Sequence, residues 1–487
     1  MTLRPALDAS EQIGSARESG GSLTGGTPWF GREKLNRRTT YCILALAVLV
    51  NAGMLLIALP AASRFLSPNY TLHFEDLYDQ IGNNVAEGNG YRIEPDMGLT
   101  MMREPGYPLF LALVFKIAGH RLVAARLANV LLAMGVVLLL MRLTYHITGD
   151  GAAALLAPLL FLFYPGTLIA EARGGVEIGF IFVVMLFMLF LYHAIEKGNL
   201  WRFWIAGTLL GAATLMRSEI LSFPLFLLVY LILAAQGAAR RYKAFIRIAA
   251  LSLGLGVAIS PWIIRNYILT REFVPTASVA GMAAQEGLYT CQHLSLDGAF
   301  AEVQLDAGKE RARLASQLGI PFVGRYYYQL FYKPVDELKF SRALLNGTVA
   351  KYRADPMLLA RCGEMNFLFN FWFLGKNWKT TWLNMALQAP LLVLGTLGVV
   401  LLRRRGLLRK CGPILAFILY VPSVHAPIIA HARHSMATVP FLVILASVPL
   451  VAVWSSLQAR RRKGEGIGSL PTLANSPHEP GVDVRLL

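Results

Sequence analysis

The chain has 487 residues, of which 55% are hydrophobic and only 15% are charged, and its mean hydropathy is +0.50. Repeated apolar runs of about 20 residues are long enough to cross a bilayer as helices, so the composition excludes a soluble cytosolic enzyme. A net charge of +17 would suggest nucleic-acid binding in a soluble protein, but no RNA-binding motif accompanies it. The sequence therefore predicts a polytopic membrane protein.

The basic residues form clusters beside the apolar runs, which is the pattern of the positive-inside rule. The clusters lie at residues 32–38, 240–247, 403–410 and 460–463. Because Lys and Arg in short loops mark the cytoplasmic side, both termini are predicted to lie inside. The turns of the opposite side, near 171–177 and 217–219, carry acidic residues with single arginines, as expected of external turns.

About ten transmembrane helices are predicted between two cytoplasmic tails. The tail at 1–38 is rich in Gly, Ser and Thr, which predicts disorder, and the tail at 459–487 resembles it. The first span follows basic residues and lacks a small-residue cleavage site, so it is predicted to be a signal-anchor. The predicted spans lie near 41–61, 123–146, 151–169, 176–194, 203–216, 219–236, 244–264, 384–402, 412–430 and 437–456.

Two polar segments are predicted on the external side. The loop at 62–105 is net acidic, and the apolar run Tyr107–Ala118 after it is too short to cross the hydrocarbon, so it predicts an interfacial helix. The segment at 267–382 is mixed polar and aromatic, with helices expected at 301–318, 335–354 and 356–373. The predicted fold class is all-α, with a transmembrane module at 39–266, this mostly helical external segment and three C-terminal transmembrane helices at 383–458.

Two of the four cysteines, Cys291 and Cys362, lie in the external segment, whereas Cys42 and Cys411 lie in or beside apolar runs. The sequence leaves two alternatives open for the external pair. One is a disulfide in an oxidising compartment, and the other is two free buried thiols.

Ionisable residues at the external ends of the spans are the candidate site, because no Walker A loop, G-x-G-x-x-G, G-x-S-x-G or H-E-x-x-H motif is present. A site at this depth suits a substrate with a lipid tail in the bilayer and a charged headgroup at its surface. Arginine offers a planar fork of donors to phosphate oxygens, and a carboxylate can accept the proton of an attacking hydroxyl. The alternative for each residue is that it only caps a helix end.

Three histidines form a second candidate group, for which the sequence suggests metal or phosphate binding. They are His425, His431 and His434.

Seven segments carry a resemblance to a known family. They are F-E-D-L-Y-D-Q-I-G-N-N-V-A-E-G-N-G-Y (74–91), R-E-P-G-Y-P-L-F-L-A-L (103–113), A-R-L-A-N (125–129), Y-P-G-T-L-I-A-E-A-R-G-G-V-E (164–177), G-A-A-T-L-M-R-S-E (211–219), S-P-W-I-I-R-N-Y (260–267) and A-R-H-S-M-A-T-V-P (432–440). In this order they resemble GT-C membrane glycosyltransferases of the bacterial protein mannosyltransferase-like and aminoarabinose transferase-like branch.

The resemblance implies an inverting transfer of a hexose or pentose from a polyprenyl-phosphate-linked donor to an extracytoplasmic lipid, glycan or protein. It implies a catalytic acid in the first external loop, at Asp76 or the adjacent Glu75. The aspartate usually stands further ahead of the tyrosine that matches Tyr78, so the choice between the two stays open. The candidate substrate-binding residues come from the ionisable residues at the external span ends, and they are Arg173, Glu177, Arg217, Arg265 and Arg433.

Arg433 is the implied phosphate contact even though His434 follows it, where the family commonly has a tyrosine. The implied location is the bacterial inner membrane, with the active site on the extracytoplasmic side. Partners are then the lipid-linked donor, the acceptor and membrane lipids, with no nucleic acid. The metal requirement stays open, because some branches use a divalent cation and others do not.

Two other functions compete with this interpretation. A transporter or flippase of a lipid-linked saccharide would carry charges within its spans, and these spans contain almost none. A degenerate family member acting as a binding or assembly subunit would not need an acid at position 76.

Overall fold

The computed structural model describes residues 37–58, 77–293, 300–325, 328–372, 378–429 and 432–465. The chain divides into two compact units, Met1–Ala45 and Leu46–Leu487. Of the first unit, the structure describes only the beginning of helix α1, Arg37–Gly53. The fold and the site described below belong to the second unit. Most of the two predicted tails, at 1–36 and 466–487, lies outside the described residues.

The first ten helices alternate long apolar helices with shorter ones. A π-helical turn, Met54–Ala58, continues α1, and a 3-10 turn, Ser218–Ile220, joins α8 to α9. Helices α1 to α10 are Arg37–Gly53, Tyr78–Ala86, Gly106–Ala118, Leu122–Thr148, Gly151–Leu162, Pro165–Arg173, Val176–Lys197, Leu200–Met216, Phe223–Ala234 and Ala238–Thr270.

The rest of the chain contains eight more helices among the described residues and one small hairpin. Strands β1 (Phe322–Arg325) and β2 (Tyr328–Phe331) are antiparallel, with Phe322 opposite Phe331. Helices α11 to α18 are Ala280–His293, Phe300–Gln317, Pro334–Ala354, Pro356–Trp372, Trp378–Arg404, Leu408–His425, Ala432–Ser435 and Val439–Glu465.

Six helices in the described part of the chain are long and apolar enough to cross a membrane, which confirms the predicted all-α polytopic fold class. They are Arg38–Ile57, Leu122–Thr148, Val176–Lys197, Ala238–Thr270, Trp382–Arg404 and Arg433–Arg461. Four apolar helices are shorter, namely Gly106–Ala118, Gly151–Leu162, Leu200–Met216 and Ser218–Ala234. The count of about ten spans and the predicted domain boundaries therefore stay predictions.

The predicted single span at 151–169 is two helices in the structure. Helix α5 ends at Leu162, and α6 begins at Pro165. Proline disfavours helical backbone at the residue before it, so the chain leaves the helix at Phe163 and Tyr164. The interfacial helix predicted at Tyr107–Ala118 is present as α3, and the three helices predicted in the external segment are present as α12, α13 and α14.

The loop at 77–105 and the segment predicted at 267–382 share one apolar core. Ile81 of α2 and Met102 of the loop are buried with Leu330 of β2 and Phe340 of α13. Each such side chain contributes about 1.5–3 kcal/mol when it leaves water. The hairpin was not predicted, because four-residue strands are too short for an alternating pattern to stand out.

Glu337 ties the loop to this core through polar contacts. Its carboxylate accepts hydrogen bonds from the Thr100 hydroxyl at 2.7 Å, the Met101 N–H at 3.0 Å and the Ser278 hydroxyl. Burial raises the pKa of Glu337, although these donors and Arg265 act in the opposite direction. A segment near residue 100 is thereby fixed to a helix more than 200 residues later.

A pH dependence follows from the buried carboxyl of Glu337. Because its pKa is raised in the folded state, its contribution to stability is complete below its ordinary pKa, near 4.5, and is lost as pH rises through the raised value. We expect the apparent unfolding temperature of the wild type in detergent to fall with rising pH by more than that of Glu337→Gln. Equal pH slopes for the two proteins would contradict this role.

The structure joins Cys291 of α11 to Cys362 of α14 in a disulfide, which is the first of the two sequence alternatives. Because the cysteines are 71 residues apart in sequence, the chain-entropy model gives the cross-link about 4 kcal/mol of stabilisation. We expect Cys291→Ser with Cys362→Ser to lower the apparent unfolding temperature in detergent clearly. Cys42→Ser, at an exposed free cysteine, is the control and should leave it unchanged. An unchanged temperature for the double variant would show that the bond contributes nothing.

Candidate functional site

The structure brings three of the predicted substrate-binding residues together at the ends of apolar helices. Glu177 lies in the first turn of α7, Arg217 follows the last residue of α8, and Arg433 lies in α17. The Arg217 guanidinium is 3.6 Å from the Glu177 carboxylate, and the charge of Arg433 acts on Arg217. Glu177 and Arg217 are both more than nine-tenths buried, so their charges interact in a medium of low polarity.

A second carboxylate, that of Glu219, lies on the other side of Arg217. Its Oε2 is 3.0 Å from the Arg217 Nη2 and 3.1 Å from the His425 Nε2. The His425 ring stacks on the His434 ring with 4.5 Å between the centroids. Burial acts to lower the pKa of Arg217, but Glu219 and Glu177 outweigh it and the pKa is raised, so Arg217 is a permanent cation.

The position of Glu177 depends on two glycines before it. The Tyr107 hydroxyl donates to the Gly174 carbonyl, and the Asn129 side chain donates to the Gly175 carbonyl at 2.9 Å. Gly174 has a φ of +70°, which a side chain would strain. A Cβ on Gly175 would lie 2.2 Å from the Glu177 Oε2, so the carboxylate folds back over a residue that has no side chain.

The end of the loop at 77–105 is fixed beside Arg217. The Glu104 carboxylate accepts hydrogen bonds from the Ser218 N–H at 3.1 Å and the Ser218 hydroxyl at 2.6 Å. A Cβ on Gly106 would lie 2.7 Å from the Leu215 carbonyl oxygen, so a glycine allows the loop to approach the end of α8.

Sequence reasoning assigned no role to Arg103 and Glu104, although both are buried. Arg103 lies over the rings of Tyr78 and Tyr328, with 5.3 and 5.2 Å from its Cζ to the centroids. The available signal was two adjacent opposite charges directly before the Pro105–Gly106 pair. Charged residues at the start of an apolar helix are costly to bury without partners.

Arg265 belongs to a different group of side chains from Arg217. Its guanidinium lies over the rings of Trp262 and Tyr91, at 4.3 and 5.2 Å, and donates to the Asn266 side chain at 3.0 Å. The Tyr91 hydroxyl in turn donates to the backbone carbonyls of Arg103 and Glu104. The structure thus links Arg265 to the first loop.

The two candidate bases, Asp76 and Glu75, lie outside the described residues, which resume at Leu77. Leu77 has a φ of +65°, a left-handed conformation that is uncommon for a leucine, and its side chain is buried. Arg173 ends α6, but its side chain also lies outside the described part. The catalytic and binding roles of these residues stay predictions.

One group of side chains in the described part of the chain could hold a metal ion. It comprises Glu219, His425 and His434, whose ligand atoms all lie within 4.8 Å of one another. The sequence had suggested His425 and His434 together with His431, which is not among the described residues.

Fold and site together define a polytopic membrane protein with a buried arginine, carboxylate and histidine cluster at the ends of its helices. Residues 102–264, about a third of the chain, match the model of the dolichyl-phosphate-mannose-protein mannosyltransferase family. The match confirms the resemblance to GT-C membrane glycosyltransferases that the sequence motifs indicated, and it covers both Glu177 and Arg217. No curated protein is significantly similar in sequence.

Among solved structures, the chain is similar to the archaeal oligosaccharyltransferase AglB from Archaeoglobus fulgidus in complex with an inhibitory peptide and a dolichol-phosphate. The identity is 14% and the TM-score is 0.49, over 90% of this chain and 53% of AglB, so this chain spans about half the length of AglB. It is also similar to ArnT from Cupriavidus metallidurans bound to undecaprenyl phosphate, with 15% identity and a TM-score of 0.38 over 84% of this chain and 77% of ArnT. With identities of 14% and 15% and TM-scores of 0.49 and 0.38, neither similarity assigns a function to this chain.

The close contact at Gly175 gives a test of the buried ion pair. Gly175 has a φ of −79°, which alanine adopts freely, so Gly175→Ala should act only by displacing the Glu177 carboxylate. We expect Gly175→Ala and Glu177→Gln each to lower the apparent unfolding temperature in detergent, and the double variant to lower it by less than the sum.

Gly256→Ala is the matched control, because a Cβ there would have nothing within 4 Å. It should leave the unfolding temperature unchanged or raise it slightly, since alanine favours helix over glycine. Additive effects of Gly175→Ala and Glu177→Gln would show that the two residues are not coupled.

Proposed function

We propose that the chain is a membrane glycosyltransferase that moves a hexose or pentose from a polyprenyl-phosphate-linked donor to an extracytoplasmic lipid, glycan or protein. The observation that carries the proposal is the placement of Arg217 and Arg433 in one cluster at the helix ends. The charge of Arg433 opposes that of Arg217, while Glu177 and Glu219 offset it, so the cluster already holds charges of both signs. A phosphate accepts the charge-assisted hydrogen bonds that guanidinium groups donate, and this is the role proposed for the two arginines.

The position of the cluster at the ends of apolar helices agrees with a donor that carries a lipid tail. Glu177 begins a long apolar helix and Arg217 follows a shorter one, so a headgroup bound there has apolar helices beside it for its lipid tail. The matched family is described by a dolichyl-phosphate-linked sugar, which is the same chemical class of donor. Glu177 is proposed to orient sugar or acceptor hydroxyls, and Arg265 and Arg173 to assist in binding.

In the proposed reaction, an acceptor hydroxyl attacks the anomeric carbon and the bond from that carbon to the phosphate oxygen breaks. Asp76 takes the hydroxyl proton as general base, with Glu75 as the alternative residue for this role. The leaving lipid phosphate keeps the electron pair of the broken bond, and Arg217 and Arg433 stabilise its charge. Attack opposite the leaving group inverts the anomeric centre.

The proposed side of the membrane is the extracytoplasmic one. The disulfide between Cys291 and Cys362 supports this side, because such bonds persist in oxidising compartments. The basic clusters on the opposite turns support the same orientation.

Reconstituted transfer tests the proposal. Purified chain in liposomes is given radiolabelled polyprenyl-phosphate sugars and extracts of envelope acceptors, and product formation is measured. We expect Asp76→Asn to reduce transfer by about 10²–10⁴-fold, the usual range for a lost general base, while insertion and unfolding temperature are retained.

Glu75→Gln decides between the two acids, and Glu87→Gln is the control, because Glu87 is exposed in the same loop. Wild-type transfer by Asp76→Asn together with a large loss in Glu75→Gln would move the base to Glu75. Full transfer by both variants would eliminate an acid at these positions as the base.

A further inference from the structure

We propose that Glu219, His425 and His434 form a binding site for one divalent transition metal ion, with Zn²⁺ as the best chemical match. The three side chains come from the turn after α8, the end of α16 and the short helix α17, and their ligand atoms lie within 4.8 Å of one another. Two imidazoles and one carboxylate are a donor set that zinc uses in proteins, whereas Mg²⁺ and Ca²⁺ prefer oxygen ligands.

The hydrogen bonds of His425 orient it as a ligand. Its Nδ1 is 2.8 Å from the Val421 carbonyl oxygen, which can only accept, so Nδ1 carries a proton. Its Nε2 then points at the Glu219 Oε2 from 3.1 Å. The Nε2 lone pair and the carboxylate repel each other unless a metal ion binds both of them or the ring carries a second proton. Metal-bound histidines usually donate their other N–H to a carbonyl in this way.

Glu219 supplies a second, independent observation. Its Oε2 is already shared by Arg217 and His425, but its Oε1 is buried and has no hydrogen-bond partner in the described part of the chain. A buried carboxylate oxygen without a partner is costly, and such oxygens in folded proteins usually contact a donor, a water or an ion. A metal ion bound through Oε1 leaves the Arg217 contact in place.

The spacing of the ligand atoms also agrees with a metal. In a tetrahedral zinc site with ligands about 2.0–2.2 Å from the ion, neighbouring donor atoms are about 3.3–3.6 Å apart. The His425 Nε2 is 3.1 Å from the Oε2 of the Glu219 carboxylate, and the ligand atoms of all three residues lie within 4.8 Å of one another, so the three side chains are close enough to bind one ion. Three protein ligands leave one coordination position open.

A metal here would add positive charge beside Arg217 and Arg433, and its open position could take an oxygen of the donor phosphate. Only this last step rests on the proposed function. The metal site itself rests on the geometry of Glu219, His425 and His434.

The experiment measures metal binding without any sugar donor. Purified full-length chain in detergent is stripped with a chelator and titrated with Zn²⁺ alone or Co²⁺ alone, and bound metal is measured by mass spectrometry and by the visible absorption of Co²⁺. We expect one ion per chain and a tetrahedral Co²⁺ spectrum. His425→Gln and His434→Gln should each weaken binding by at least tenfold.

His146→Gln is the matched control, because His146 also faces a glutamate, with 3.2 Å from its Nε2 to the Glu196 Oε1. It should bind metal like the wild type. Metal binding is measured without donor or acceptor, so a failure of the metal site is distinguishable from a failure of the proposed transfer. Binding below one ion per chain, or binding that survives both histidine substitutions, would overturn the proposal and leave a histidine–carboxylate ion pair.

Discussion

The buried guanidinium of Arg217 is the contact on which the arrangement of the site depends. It lies between Glu177 and Glu219, and Ser218 beside it donates to Glu104 of the first loop. A buried charge is tolerated only when its partners are present, and removal of one partner typically costs 3–5 kcal/mol because the other charge is left unpaired. Arg217 joins α7 to the turn after α8 directly, and that turn in turn contacts α16 through Glu219 and His425 and the loop through Ser218 and Glu104.

The site and the loop beside it are held by different kinds of contact. The helix ends carry the buried cation Arg217 with its carboxylate partners, and the first loop packs through apolar side chains against the hairpin and α13. Neither part is rigid through local propensity alone, because short helices and four-residue strands are marginal without tertiary contacts. Their geometry comes from burial and from ion pairs between residues far apart in the chain.

The long apolar helices and the helices of the external segment were predictable, because each shows its own apolar run or amphipathic pattern. The sequence predicted only that Glu177 and Arg217 both lie at the external ends of spans, and it did not predict that their side chains are in contact. The split at Tyr164, the hairpin, the roles of Glu104 and Glu337 and the separate group around Arg265 were not predicted. Each depends on contacts between residues that are more than 100 positions apart or on a short segment whose pattern is ambiguous.

The hydrogen bonds that the Glu337 carboxylate accepts from Thr100 and Met101 limit how related chains can diverge. The segment at 267–382 cannot be exchanged between relatives independently of the loop, because α13 carries the carboxylate that binds Thr100 and Met101. A functional chimera that takes residues 267–382 from another member must take the compatible loop with it. The loop and the segment that packs against it are in this sense inherited together.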